Sequence, residues 1–420
     1  MGRYEYLETK EGQIHERWKR VVDMIYLKVL QDPKGKKGMS SEAKREFRSK
    51  IKDELKRKKR RAFSGNIILE IDFYTAEDYP PPIQTLVKNY LDLLHKPMPE
   101  IDNLKDILFK DDSQIRILIA NYHLNRIGKN EAKIEIKAYR YSHFIKDVEL
   151  ADRILHQDFD DDNYDPDDEK EENYAHDIEY YFEELSNLED NNRKGFYKTN
   201  QETYELQKSM IMQRLQEQYL KSKALSVDDI ISILEASHIS KAKYLPKDEI
   251  DNLLELARSF IPMKTGYIEA GGAPMEKGDT KIFREKLKES INEFKKNHKI
   301  LFPLLHPISI VGFHTPPKRN IADLDNLARQ ITPFVTEIFK PPLSYTPKST
   351  LKHLSPSQRK AIELAQKFPE NGITSYQMIQ IPRKKDSPEK GSVNFFMTDG
   401  YPNLNNIWRS IDRLIDEWEN

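Results

Sequence analysis

One order of elements occurs twice in this 420-residue chain, and that repetition constrains its fold more than any other feature. From Ser40 to Arg61 the pattern is helical and strongly basic, with Phe47, Ile51 and Leu55 at four-residue spacing. The apolar, β-prone run Ile67–Tyr74 follows and reads as a strand. Pro80, Pro81 and Pro82 then open a helix over Ile83–Leu94, since proline suits a first helical turn. Two further strands are expected at Ser113–Tyr122 and Lys133–Tyr141. From residue 280 the order returns. Lys281–Glu289 resembles Arg45–Asp53, Pro307–Thr315 matches the first strand, and a helix runs from Leu324 to Phe339. Strands at Thr374–Ile381 and Ser392–Thr398 complete the second copy. Lys88 stands 13 residues after Thr75, and Arg329 stands 14 after Thr315. The expectation is an α+β fold in which two α/β units pair as a pseudo-dimer within one chain, monomeric rather than a homodimer.

Four regions follow. Residues 1–150 hold the first copy with its basic helix, 151–200 an acidic linker, 201–278 a helical insertion, and 279–420 the second copy with a C-terminal helix. Asp158–Glu172 carries ten acids and one lysine, and such a block repels itself and is expected to be disordered. Two other readings stay open: a metal loop, from the alternation of Asp158, Asp160 and Asp162, and mimicry of DNA that shields a basic groove. The calcium-loop pattern fails at Asn163, where glycine belongs. Helices are expected over Thr203–Lys221, Val227–Leu234 and Asp248–Phe260, and Gly266–Gly278 reads as loop. Ile407, Trp408, Ile411, Leu414, Ile415 and Trp418 form one face of a closing helix over Leu404–Trp418. That face is expected to dock on the second copy, or else to bind a partner. The run Lys340–Gly372 interrupts the second copy as an insertion.

Composition excludes several chemistries. With no cysteine there are no disulfides, thiolate zinc sites or cysteine nucleophiles, which fits a reducing cytoplasm. No run of 18 apolar residues is present, so no membrane span is expected. The N-terminal residues lack the apolar core of a signal peptide. Net charge is −1, but the charge is segregated along the chain.

The repeated units carry two acidic fragments about 210 residues apart. Asp323-Leu324-Asp325-Asn326 stands where a strand gives way to a helix, with Arg329 one turn beyond Asp325. Lys110-Asp111-Asp112-Ser113-Gln114 precedes a strand of the first copy. Clustered carboxylates beside a cation suit a divalent metal held against a phosphodiester. Read singly, each fragment is explained as well by local structure: a helix cap for Asp323 and Asp325, a tight turn for Asp111 and Asp112. The copies differ in a complementary way. Gln84 and Pro82 stand where the second copy has Asp325 and Asp323, and Ser375-Tyr376-Gln377 aligns with Asp112-Ser113-Gln114.

These motifs resemble the RusA family of Holliday junction resolvases. Its pattern is a strand, D-x-D-N-L-x-K opening a helix that contains L-D-A-L, then D-D-[SA]-Q-[VI] opening a strand. Asp323–Arg329 matches the first motif with arginine in place of lysine, Lys88–Leu94 matches the middle of the helix, and Asp111–Ile115 matches the last. The resemblance covers residues 40–145 and 280–400. It implies a Mg²⁺-dependent endonuclease, with Mn²⁺ as a substitute, that nicks four-way DNA in recombination and repair. It implies catalytic roles for Asp323, Asp325, Asp111 and Asp112, and for Lys88 and Arg329. Asp323, Asp325 and Asp112 would hold the metal. Glu100-Ile101-Asp102-Asn103-Leu104 imitates the first motif inside the first copy, so Glu100 and Asp102 form an alternative metal set.

Two functional classes remain. In one, Asp323 and Asp325 join Asp111 or Asp112 across the pseudo-two-fold axis and cut branched DNA. The basic residues Lys50, Lys56, Arg57, Lys58, Lys59, Arg60, Arg61 and Arg319 would contact its backbone. In the other, the chain is a RusA-like DNA-binding protein without catalysis. An RNA-binding scaffold using Tyr164, Tyr174, Tyr180 and Tyr181 is a weaker third reading, because acids surround those rings. Distance separates the first two: Asp111 or Asp112 must come within about 8 Å of Asp325 to share metals.

Overall fold

A computed structural model describes residues 6–75, 81–102, 107–123, 131–156, 169–237, 246–274, 279–302, 304–318, 323–339, 355–356, 372–385, 387–401 and 406–420. Among them are eleven helices and eight strands. The elements of the first half are α1 (Lys10–Val21), β1 (Ile25–Val29), α2 (Ser41–Arg57), β2 (Ile67–Tyr74), α3 (Ile83–His95), β3 (Ile115–His123), β4 (Lys133–Arg140) and α4 (Tyr141–Leu155). Four helices follow: α5 (Glu169–Arg193), α6 (Gln201–Lys221), α7 (Val227–Leu234) and α8 (Lys247–Thr265). The second half comprises β5 (Ile268–Gly271), α9 (Asp279–Asn297), β6 (Ile308–Thr315), α10 (Leu324–Phe339), β7 (Ile373–Gln380), β8 (Ser392–Asp399) and α11 (Ile407–Glu419).

All eight strands form one mixed sheet in the order β1-β4-β2-β3-β7-β6-β8-β5. Numbered within its half, each strand meets its counterpart at the same distance from the centre, so the order reads alike from both edges. β2 runs parallel to β3, and β6 parallel to β7, while β4 and β8 pair antiparallel to β2 and β6. Even the register irregularity recurs, between Ile67 and Ile68 and between Ile308 and Ser309. The halves meet where β3 and β7 run antiparallel, Ile117 opposite Ile379 and Asn121 opposite Ser375. Without that seam each half would expose a long apolar strand edge, a template for misassembly.

Helices cover both faces, so the central strands are buried along almost their whole length, as in β2 and β7. On one face Leu69, Ile71, Ile310 and Met378 pack with Phe47 of α2, Leu86 and Tyr90 of α3, Leu287 of α9 and Leu327 and Ile331 of α10. On the other, Ile68, Ile119, Val311 and Phe396 pack with Phe144 of α4, Ile231 of α7 and Trp408 and Ile411 of α11. The first face carries the acidic motifs.

Several sequence expectations need correction. β1 and β5 add to the strands the sequence pattern suggests, the latter within Gly266–Gly278, where the pattern suggests a loop. Both are short edge strands, and alternate residues of β1 face solvent. The region 151–200, expected to be a disordered acidic linker, is helical over Glu169–Arg193, and α4 crosses its first boundary. Half-buried Ile178, Tyr181 and Leu185 and buried Leu188 line one side of α5, and Lys208 of α6 pairs with Glu189 at 2.9 Å. That apolar line and the hairpin with α6 outweigh charge repulsion. Asp158, Asp160 and Asp162 lie outside the described residues, as does nearly all of Lys340–Gly372. The apolar face of α11 is buried, but it straddles the seam and packs on α4 of the first half. The cause is charge: β2 turns Glu70 and Asp72 toward α11, and Arg409 donates to both at 3.0 Å. No helix of the described residues is long and apolar enough to cross a membrane.

Candidate metal centre

The Asp-Asp-Ser-Gln fragment folds into a single 3-10 turn, Asp112–Gln114, entering β3. Asp111 and Gln114 shape that turn. Asp111 Oδ1 accepts from the Ser113 amide at 2.9 Å, and Gln114 Oε1 accepts from the Asp111 amide at 3.1 Å. Gln114 Nε2 then donates to the carbonyls of Phe63 and Gly65, fixing the turn to the sheet. Asp111 is therefore a capping residue, held below its usual pKa by the Ser113 donors, rather than a fourth acid of the cluster. Its neighbour Asp112 is left buried and turned toward α3.

Asp323 and Asp325 flank Leu324, the first residue of α10. The Leu327 amide donates to the Asp323 carbonyl at 3.2 Å, and Asn326 Nδ2 donates to Asp323 Oδ2 at 3.2 Å. Asp325 faces inward and is 1% exposed.

These pieces converge. One carboxylate oxygen from each of Asp112, Asp323 and Asp325 lies within 4.8 Å of the other two. The distance requirement set by the sequence is met by Asp112. Lys88 of α3 reaches into the cluster, its Nζ 3.1 Å from Asp325 Oδ2, 3.3 Å from Asp112 Oδ2 and 3.7 Å from Asp92 Oδ1. Burial opposes the Lys88 charge, but Asp325 and Asp112 outweigh it and hold its pKa above the ordinary lysine value.

The acids repel one another. Burial, followed by the charges of Asp112 and Asp325, pushes the Asp323 carboxyl up to about 6. Burial raises Asp325 as well, against the pull of Lys88. Both Asp325 oxygens and Asp112 Oδ1 are buried without a well-directed hydrogen bond, an arrangement that costs free energy. Three hard oxygen donors in that condition could hold an oxygen-preferring divalent cation.

That repulsion makes a stability prediction. A carboxyl raised from 3.8 to about 6 favours the fold fully below pH 3.8 and ceases to as pH climbs through 6. Asp323→Asn should flatten that part of the stability–pH curve and stabilise the cation-free protein by about 1 kcal/mol at pH 7.5, after allowance for partial exposure. Urea unfolding at a series of pH values measures it. Parallel curves for the two proteins would refute the repulsion.

His95, which no sequence motif singles out, adjoins the cluster through Asp112. Its ring is 6% exposed and stacks on Phe109, with Nδ1 3.1 Å from Asp112 Oδ1 and 2.9 Å from the Leu91 carbonyl. The signal was present: Lys88, Asp92 and His95 fall at i, i+4 and i+7, one face of α3.

The alternative metal set is not formed. Asp102 pairs with buried Arg48 at 2.7 Å, and Glu100 is exposed. Arg48 also donates to the carbonyls of Leu93 and Lys96, closing the end of α3. Arg329 is exposed on α10, where its charge acts on the buried Tyr376 hydroxyl. The basic run is partly committed. Lys50 pairs with Glu46, Arg57 with Glu54 and Arg60 with Asp23, each at 2.6 Å, and Lys58 donates to the Tyr26 carbonyl. Lys56, Lys59 and Arg61 are exposed, and Arg319 lies outside the described residues. The register also moves one alignment. Ile373 opposes Ile308 as Ile115 opposes Ile67, so Ser375 corresponds to Ile117 rather than Asp112. The counterpart of Asp112, residue 370, lies outside the described residues.

No protein-family model matches the chain, and no significant match is found among curated proteins or solved structures.

Proposed function

We propose that this protein is a Mg²⁺-dependent DNA endonuclease that cuts branched DNA, of the RusA kind, with its two halves descended from one duplicated unit. The observation that carries the reading is the meeting of Asp112 from one half with Asp323 and Asp325 from the other, across the seam and around Lys88. The repeated strand order and the repeated register irregularity support the duplication.

Asp112, Asp323 and Asp325 would hold the cation. Mg²⁺ bound there supplies positive charge to a phosphodiester and makes nearby water more acidic. Lys88 brings an ammonium to the same point and orients the phosphate between the two halves. Asn326 fixes the Asp323 carboxylate, and the Asp111–Gln114 turn and His95 fix Asp112. Gln84 stands in α3 where Asp325 stands in α10, and among the described residues no second acidic set like the first is present. One composite site per chain makes a single nick the expected product.

Cleavage of an end-labelled four-way junction and a matched linear duplex, with Mg²⁺, Mn²⁺ or EDTA, tests the proposal. Metal-dependent nicking of the junction in preference to the duplex is expected. No cleavage with either metal at stoichiometric protein would refute it. Lys88→Met should lower the cleavage rate about 100-fold at saturating DNA, because the lost charge acts on the phosphate as it reacts. An unchanged rate would assign Lys88 to structural neutralisation of the acids.

A further inference from the structure

We propose that the loop Pro33–Gly38 is a phosphate-binding element that grips the DNA strand beside the acidic centre, an inference that rests on the endonuclease reading. The segment joins β1 to α2 and reads Pro33-Lys34-Gly35-Lys36-Lys37-Gly38. Lys34, Lys36 and Lys37 are exposed, while Pro33 and Met39 at its ends are buried. Three ammonium groups within four positions offer donors only, and their ligand is an anion.

The loop is held in place before any ligand arrives. Its backbone is tied to α3: the Lys34 amide donates to the Tyr90 hydroxyl at 3.2 Å, and Asn89 Nδ2 donates to the Lys34 carbonyl at 2.9 Å. The Gly38 amide closes a turn on the Gly35 carbonyl at 2.9 Å. At Gly35 the chain lies against Thr85, where an added Cβ would come 3.7 Å from its methyl group. None of these contacts uses a lysine side chain. Binding an anion therefore costs little backbone ordering.

Position names the anion. Lys36 Nζ lies 3.7 Å from Asp92 Oδ2, and Lys88 Nζ lies 3.7 Å from the other oxygen of the same carboxylate. Lys88 also contacts Asp325 and Asp112. Loop and acidic centre are thus joined through a single shared carboxylate. Phosphates along one strand advance about 3.4 Å each along the duplex axis, so a strand seated on the centre passes the loop within a few nucleotides. The corresponding run of the second half, Gly272–Gly278, has one lysine, Lys277, beside one acid, Glu276. The basic loop belongs to the half that supplies Lys88.

The test compares wild type, the triple variant Lys34→Ala/Lys36→Ala/Lys37→Ala and a control, Lys194→Ala/Lys198→Ala, at the tip of the α5–α6 hairpin. DNA-junction binding is measured in EDTA across a salt series. The triple variant should bind about 10-fold or more weakly at 0.15 M salt. Its slope of log K against log salt should be shallower by about 2 to 3, the loss of up to three phosphate contacts. The control should stay within about twofold of wild type, and Mn²⁺ affinity should be unchanged in all three. Wild-type binding that the triple variant keeps, or that the control loses equally, overturns the loop assignment alone. Failure of wild type to bind DNA overturns the endonuclease reading and this inference together.

Discussion

Asp325→Asn is expected to lower Mg²⁺-dependent cleavage of branched DNA at least about a thousandfold without unfolding the protein. Asp325 is 1% exposed, and its ion-pair partner is Lys88, 3.1 Å from Oδ2 and itself part of the cluster. The amide has nearly the same shape but removes a negative charge from a cluster in which burial and Asp112 already raise the Asp325 pKa. Relief of that repulsion should leave the variant as stable as wild type, or more so. Asp112→Asn, from the other half of the chain, should cause a loss of the same order. The losses should not multiply in the double variant, because residues acting as one unit are non-additive. Rates within about tenfold of wild type for either variant would mean that the cluster does not perform the chemistry.

Trp408→Ala should cost about 3–5 kcal/mol of stability, the largest loss expected from a single core substitution here. Trp408 is 1% exposed, stacks on Tyr139 at 5.7 Å, meets Phe144 edge-on and lies under Lys137 Nζ at 4.0 Å. It sits in the first turn of α11, beside the Asn406 and Arg409 contacts to Glu70. Loosening that turn leaves two buried acids of β2 short of partners, which adds to the cavity cost. Chemical denaturation measures the loss. A cost below about 1 kcal/mol would show that α11 is an accessory helix and not a clasp across the seam.

What the sequence made legible follows from the range of the forces involved. Ile67–Tyr74 and Leu324–Phe339 were placed at their observed bounds because period-2 and period-3.6 patterns are local. β1 escaped because five residues carry too little periodicity. α5 escaped because its acids masked the spacing of Ile178, Tyr181, Leu185 and Leu188. Within the site, Asp112, Asp323, Asp325 and Lys88 were legible from motifs that share one order. Asp111 could not be separated from Asp112 without the turn that gives them opposite tasks. Asp102 could not be removed until Arg48 was seen to hold it, and nothing local announces that Arg409 meets Glu70 and Asp72. These are contacts between residues far apart in the chain, and they require the fold.

Cation binding to the wild-type protein, Asp112→Asn and Asp325→Asn, measured by calorimetry with Mn²⁺ and Mg²⁺ in the absence of DNA, tests most directly whether carboxylates from both halves form one centre. The expected result is saturable binding to wild type at one or two ions per chain, abolished or weakened about 100-fold by either substitution. Equal binding by all three proteins would contradict the composite centre, whatever cleavage assays showed.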